Sequence, residues 1–157
     1  MSLKEDCAAL ESLPLKLIIV AVVASLSIVP ASEALDNLRT NDFFNRVELQ
    51  LDCIVTAAKL LAVGGPGGAR TIALDFAGEG SVAFQRLTIG DVSGGANMSS
   101  VLVWFTNGAV MIKSCFDPAV WMRTKDGHGL VLESPRADLR LSAHIDGSTE
   151  YILLEVV

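Results

Sequence analysis

The side chains able to do chemistry are few: two His and three Cys in 157 residues. His128 lies in Lys125-Asp126-Gly127-His128-Gly129, a loop composition, and reads as an exposed loop histidine. His144 falls on the polar phase of an alternating run, two residues from Ser142 on the same strand face. A nucleophilic serine also needs a base held by a third group, and the neighbouring sequence supplies none. Neither His has a Cys or carboxylate at metal-ligand spacing. Cys7, Cys53 and Cys115 are an odd, widely spaced set. Free buried thiols are the expectation, with a Cys53–Cys115 pair as the alternative. The run GGPGGAR at residues 64–70 has the glycines of a phosphate loop but no Lys-Ser/Thr. It also follows a helical pattern and precedes a strand, the reverse of a phosphate loop. It reads as a helix stop and chain reversal. Asn97-Met98-Ser99 is an N-glycosylation sequon in a loop, making Asn97 a modification candidate. These readings predict no catalysis, no cofactor, no metal site and no evident small-molecule ligand.

Composition narrows the partners. Twelve basic and 18 acidic residues give a net charge of −6 without a basic block, so nucleic acid is not an expected partner. Apolar residues make up 51% and charged ones only 19%, which excludes a disordered chain. The apolar residues are concentrated. Residues 17–29 (LIIVAVVASLSIV) hold no charge, and residues 13–32 are interrupted only by Pro14, Lys16 and Pro30. Twenty helical residues at about 1.5 Å each cover a hydrocarbon core of about 30 Å. Three readings stand: a membrane anchor or assembly helix, a cleaved secretory signal ending near Ala31 or Ala34, and a buried core helix. The opening Met1-Ser2-Leu3 reads as a non-native start.

The elements that follow are legible from their periods. Ser32 is a plausible N-cap, with Glu33 and Asp36 in the next turn. Val47, Leu51, Ile54, Ala58 and Leu61 step by four, three, four, three, one stripe for packing on a sheet. A second stripe, Leu49, Cys53, Thr56 and Leu60, lies on roughly the opposite side and suits a subunit contact or more of the same domain. Glu48, Asp52 and Lys59 fill one groove between the stripes, Arg46 and Gln50 the other. After the glycines the period becomes two. Ile72, Leu74 and Phe76 alternate, a turn at Gly78-Glu79-Gly80 leads to a returning strand, and its apolar phase slips near Gln85-Arg86, predicting a bulge. Asn107-Gly108 marks a hairpin. Trp121 and residues 130–132 suggest short strands, and Asp146-Gly147 joins two final strands. Hairpin connections predict an antiparallel sheet of four to seven strands.

This layout, with LPLKLIIVAVVASLSIVP at 13–30, VGGPGGARTIALDF at 63–76 and GSVAFQRLTIGD at 80–91, resembles archaeal type IV pilin-like, or pseudopilin-like, secreted and surface proteins of uncharacterised function. The resemblance implies an α+β fold: a long N-terminal helix, apolar and then amphipathic, kinked or interrupted near Pro30, packed on a small antiparallel sheet. It divides the chain into an anchor or assembly segment, 1–32, and a helix-plus-sheet domain, 33–157. It further implies a non-enzymatic homo-oligomer, held to the membrane or to its own copies through residues 13–32, with the domain outside the cell or in a secreted surface structure. Such families carry a short basic leader before the processing site, whereas this sequence opens acidic without a Gly-based processing point, and Glu11 matches the acidic position near the mature pilin terminus. The alternatives are a membrane-tethered extracytoplasmic binding domain that does not polymerise, and a soluble intracellular protein with an apolar core helix.

Overall fold

The computed structural model describes the backbone of residues 3–78, 80–116 and 119–157, and side chains from residue 15 onward within those ranges. Cys7, Glu11 and Pro14 therefore lie outside the described side chains, as does Glu79 of the expected turn. The architecture is α+β. Among the described residues one helix, α1 (Leu3–Gly64), precedes eight strands: β1 (Ala69–Asp75), β2 (Phe84–Ile89), β3 (Ser100–Phe105), β4 (Val110–Ser114), β5 (Trp121–Arg123), β6 (Leu130–Leu132), β7 (Arg136–Asp146) and β8 (Thr149–Val156). Two compact units divide the chain, Met1–Arg39 and Thr40–Val157, so α1 contributes to both.

Helical assignment runs through Pro30 without the expected interruption, and Ser32 is not an N-cap. Its hydroxyl instead donates back to the Val29 carbonyl at 2.8 Å, inside a continuing helix. A capping residue acts only where the chain before it is not helical, and here the upstream run is strongly helix-competent. The helix ends at Gly64, and Gly65 takes φ +79°, the left-handed stop that a side chain would strain.

In the second unit the strands form two sheets rather than one: β1-β7-β8-β5 and β4-β3-β2-β6. The β1 and β2 runs therefore do not make a hairpin; β1 pairs with β7 and β2 with β3 and β6. Pairing is antiparallel except for β5, which runs parallel to β8. The expected slip is present as a register shift between Phe84 and Arg86. The Asn107-Gly108 turn joins β3 to β4, and β7 meets β8 across Asp146-Gly147. One core fills the unit. Phe43, Val47, Leu51, Ile54, Ala58 and Leu61 of α1 meet Leu87, Ile89, Val101, Val103 and Phe105 of one sheet and Leu74, Met122, Leu139, Leu141, Ile152 and Leu154 of the other. Phe43 and Phe44 both pack edge-on against Phe105, with centroids 5.8 and 4.9 Å apart.

Polar contacts reinforce that packing. Gln50 takes both backbone groups of Asp75: its Nε2 donates to the carbonyl at 2.6 Å and its Oε1 accepts from the amide at 2.9 Å. Lys113 on β4 reaches Glu48 at 2.8 Å and Asp52 at 3.1 Å, two carboxylates one helical turn apart. Gly90 has φ +72° and lies against the Met122 carbonyl, so a β-carbon there meets both a strained backbone and an occupied space.

Candidate functional site

The stripe Val47, Leu51, Ile54, Ala58, Leu61 is buried in the core, none of it more than 7% exposed. The second stripe, Leu49, Cys53, Thr56 and Leu60, is exposed along its whole length. It borders an open groove shared with Asp52, Ala57, Arg70, Thr71 and Ile72. Cys53 and Cys115 are both free thiols. They do not share the expected burial: Cys115 is in the core, whereas Cys53 faces outward because it belongs to the uncovered stripe. Burial pushes the Cys115 thiol up, partly offset by Lys59, and its Sγ lies 3.6 Å from the Val55 carbonyl. That is an inert core thiol rather than a nucleophile.

The glycine run is engaged by the sheet. The Gly67 amide donates to the Ala143 carbonyl at 3.0 Å and the Ala143 amide to Gly68 at 2.9 Å. Those groups extend the pairing with β7, so they do not cradle an anion. His128 is exposed in the turn after β5, where its carbonyl accepts from the Thr124 amide and hydroxyl. His144 is exposed too, with Nε2 3.1 Å from the Ser142 hydroxyl and its ring stacked on Tyr151 at 5.7 Å. Among the described residues no carboxylate is bonded to His144, and no group of three metal-ligating side chains is present. A serine beside a solvated imidazole that no carboxylate holds lacks the arrangement of an activated nucleophile.

Asn97 is exposed, yet the sequon around it is closed. Its carbonyl accepts from the Ser100 amide at 2.9 Å in a tight turn. Ser99, the third sequon residue, is 2% exposed, and its hydroxyl is buried without a hydrogen-bond partner. The tripeptide alone signals the loop but not the burial of its serine.

Two clusters escaped the sequence reading. The Arg123 guanidinium stacks on Tyr151 at 3.8 Å and Trp121 at 4.5 Å and pairs with Asp146 at 3.2 Å. The parallel pairing of β5 with β8 creates this stack, and no local pattern announces such a pairing. A cavity of about 260 Å³ lies where α1 ends, lined by Leu61, Val63, Pro66, Ile145, Tyr151 and Ile152 among others. It is mostly apolar, and His144, Glu150 and Tyr151 bring ionisable groups to it.

The largest unexplained surface belongs to the apolar part of α1. Leu15, Leu17, Ile18, Ile19, Val20, Val22, Val23, Leu26, Ile28 and Val29 are each at least 52% exposed. An 18-residue stretch of this helix is long and apolar enough to cross a membrane, and none of it is buried. Its two serines are satisfied internally: Ser25 donates to Ala21 at 2.7 Å and Ser27 to Val23 at 2.9 Å. The chain matches no protein-family model, no curated protein and no solved structure.

Proposed function

We propose that this protein is a pilin-like or pseudopilin-like surface protein, without catalysis, anchored in a membrane or assembled with its own copies through residues 13–32. The observation that carries the reading is the apolar surface of residues 15–29, exposed around the whole helix. Consecutive residues Leu17, Ile18, Ile19 and Val20 are all more than half exposed, so the surface is not a stripe that one neighbouring layer would cover. Each such side chain is worth about 1.5–3 kcal/mol on full burial, which makes water a poor environment for the segment. Within residues 17–29 the only side-chain donors, Ser25 and Ser27, are turned onto helix carbonyls, as a hydrocarbon setting requires. Lys16, near one end, has a stem long enough to carry its charge to an interface. The sheet unit holds its own core and needs none of these residues to fill it. In this reading it stands outside the cell.

The second reading is a membrane-tethered extracytoplasmic binding domain that does not polymerise, favoured by the apolar cavity beside Tyr151. The full chain, mixed with phosphatidylcholine vesicles, tests both. Flotation with the vesicles together with a ladder of cross-linked species is the expected result. Flotation as a monomer selects the tethered domain. A plain monomer in buffer that ignores vesicles overturns both.

A further inference from the structure

The two sheets differ on the faces turned away from the core. On the first sheet, β7 and β8 put Asp138, Arg140, Ser142, His144 and Glu155 outward together with Tyr151 and Leu153, a face that mixes charged and apolar side chains. On the second, the outward phase holds Val110 and Ile112 of β4, Leu102 and Trp104 of β3, Thr88 of β2 and Val131 of β6. Registers align them: Leu102 stands between Thr88 and Ile112, and Thr88 beside Val131. Ile112 is 55% and Val131 54% exposed, while Leu102, at the centre, is 8% exposed without belonging to the core cluster. The strand VLVWF (residues 101–105) is apolar at every position, the mark of a strand covered on both faces. Among the described residues, Ile112 and Val131 on the two edge strands remain more than half exposed on its outer side.

We infer that the outer face of the β4-β3-β2-β6 sheet is a contact surface between copies of this chain within the assembly. The inference rests on the proposed assembly through residues 13–32. Charge selects the occupant. Each copy carries a net charge of −6, so copies repel wherever their carboxylates meet. The outward phase of this sheet holds no Asp or Glu. Its one cation, Arg86, lies over the Trp104 ring at 4.5 Å. A face-to-face contact related by a two-fold axis therefore brings neutral apolar surface onto its like. The helix stripe around Leu49 and Cys53 is a poorer choice, because exposed Asp52 lies on its border.

Size explains why the anchor is needed. Four strands about 4.8 Å apart and roughly 18 Å long present about 350 Å². Two such faces total about 700 Å², short of the roughly 1,200 Å² of a stable independent interface. Holding the domains at one membrane or filament raises their effective concentration enough for a small contact to form.

The test uses the full chain in phosphatidylcholine vesicles, with Cys7→Ser and Cys53→Ser leaving only the buried Cys115. Thr88→Cys should cross-link to its copy through a bismaleimide of about 10 Å, the spacing of packed sheets. Adding Ile112→Glu and Val131→Glu should lower that yield about tenfold or more, since an unpaired carboxylate resists burial. Both positions are exposed, so a circular-dichroism melt should confirm an intact domain. Asp138→Cys, exposed on the charged face of the first sheet, should cross-link poorly. Equal yields from Thr88→Cys and Asp138→Cys, or no effect of the two glutamates, overturn the inference. Quenching of Trp104 by brominated lipid, read with Trp121→Phe, places lipid on the face and overturns it as well. Vesicle flotation is read on the same samples. A chain that floats without the Thr88→Cys product defeats this inference alone, whereas a chain that neither floats nor associates defeats the assembly reading beneath it.

Discussion

Two stretches of one helix are rich in the same residues and meet opposite fates. In residues 43–61 the apolar side chains recur every three or four positions, and Phe43, Val47, Leu51, Ile54, Ala58 and Leu61 are all buried. Between them, Glu48, Gln50 and Asp52 make polar bonds to strands. In residues 15–29 the apolar side chains are nearly continuous, and every Leu, Ile and Val among them is at least half exposed. Apolar content is therefore not what decides whether a helix is covered by its own chain. Spacing is: a stripe fits one layer, whereas an apolar cylinder needs surroundings on all sides.

The largest effect expected from breaking the comparison is on stability. Phe43→Ala should cost about 3–5 kcal/mol, and Leu51→Ala or Ile54→Ala about 2–5 kcal/mol, because each leaves a cavity in a closed core. Ile18→Ala and Val22→Ala should move the unfolding free energy of the sheet unit by less than about 0.5 kcal/mol, the scale of exposed substitutions. Urea titrations of the full chain in a fixed detergent compare the two sets. Equal losses from both would mean that residues 15–29 are packed in the functional protein.

Reversing the perturbation reverses the expected readout. Val22→Lys puts a charge at the middle of the apolar cylinder, where insertion costs about 2.5–3.5 kcal/mol. Vesicle flotation should fall by roughly one hundredfold in partition ratio, 1.4 kcal/mol being a factor of ten. The unfolding transition of the sheet unit should stay where it is.

The same contrast separates what the sequence discloses from what it withholds. Features with a local cause are legible: the glycine stop at Gly64, the slip of phase between Phe84 and Arg86, the Asn107-Gly108 turn. Pairing between distant segments is not. The alternation of Ile72, Leu74 and Phe76 tells which side chains face inward, but nothing in it says that β1 joins β7 and not β2. The three-residue strands β5 and β6 exist because longer neighbours accept them, and the Arg123 stack comes with that pairing. Ser32 has the right type for a cap, yet capping depends on whether the preceding turn is helical. The contact face inferred on the second sheet does have a trace in VLVWF, since an unbroken apolar strand implies cover on both sides. For the site residues, periodicity identifies Leu49, Cys53, Thr56 and Leu60 as a stripe without telling whether anything lies on it.

A smaller effect comes from the polar bonds to strands that residues 43–61 make. Gln50→Ala removes both partners of the Asp75 backbone and should cost about 1 kcal/mol, because water replaces exposed hydrogen bonds in part. Gln50→Glu keeps the acceptor for the Asp75 amide but sets a carboxylate against the Asp75 carbonyl. It should be no better than the alanine variant. Thermal melts of the three proteins distinguish a specific two-bond clamp from general helix propensity, since Ala is the better helix former.

The smallest expected effect is on pH dependence, and it should be confined to the sheet unit. Asp75 has its carboxyl held below the usual range, first by the Ala77 amide and then by the Arg136 guanidinium at 3.2 Å. A depressed native value means that the unfolded chain binds the proton more readily. The contribution is therefore fully present above about pH 4, the ordinary range of an aspartate, and is lost as the pH falls through the native value. Asp75→Asn should make the acid limb of the stability profile shallower and leave the neutral region nearly level. Lys113 has the opposite sign. Glu48, then Asp52, hold its ammonium above the usual range, so its contribution is complete below about pH 10 and fades as the pH rises further. Lys113→Met should flatten the alkaline limb. Lys113 ties Glu48 and Asp52 of α1 to β4, and the Asp75 carboxylate holds the end of β1 to Arg136 of β7, whereas Lys16 is the only charge from residue 15 to residue 32. Vesicle flotation should accordingly be the same for both variants and wild type between pH 3 and 9 (roughly the span of ordinary carboxylate and amine titration). A flotation profile that followed Asp75 or Lys113 would mean that the folded unit, and not the apolar cylinder, carries the protein to the membrane.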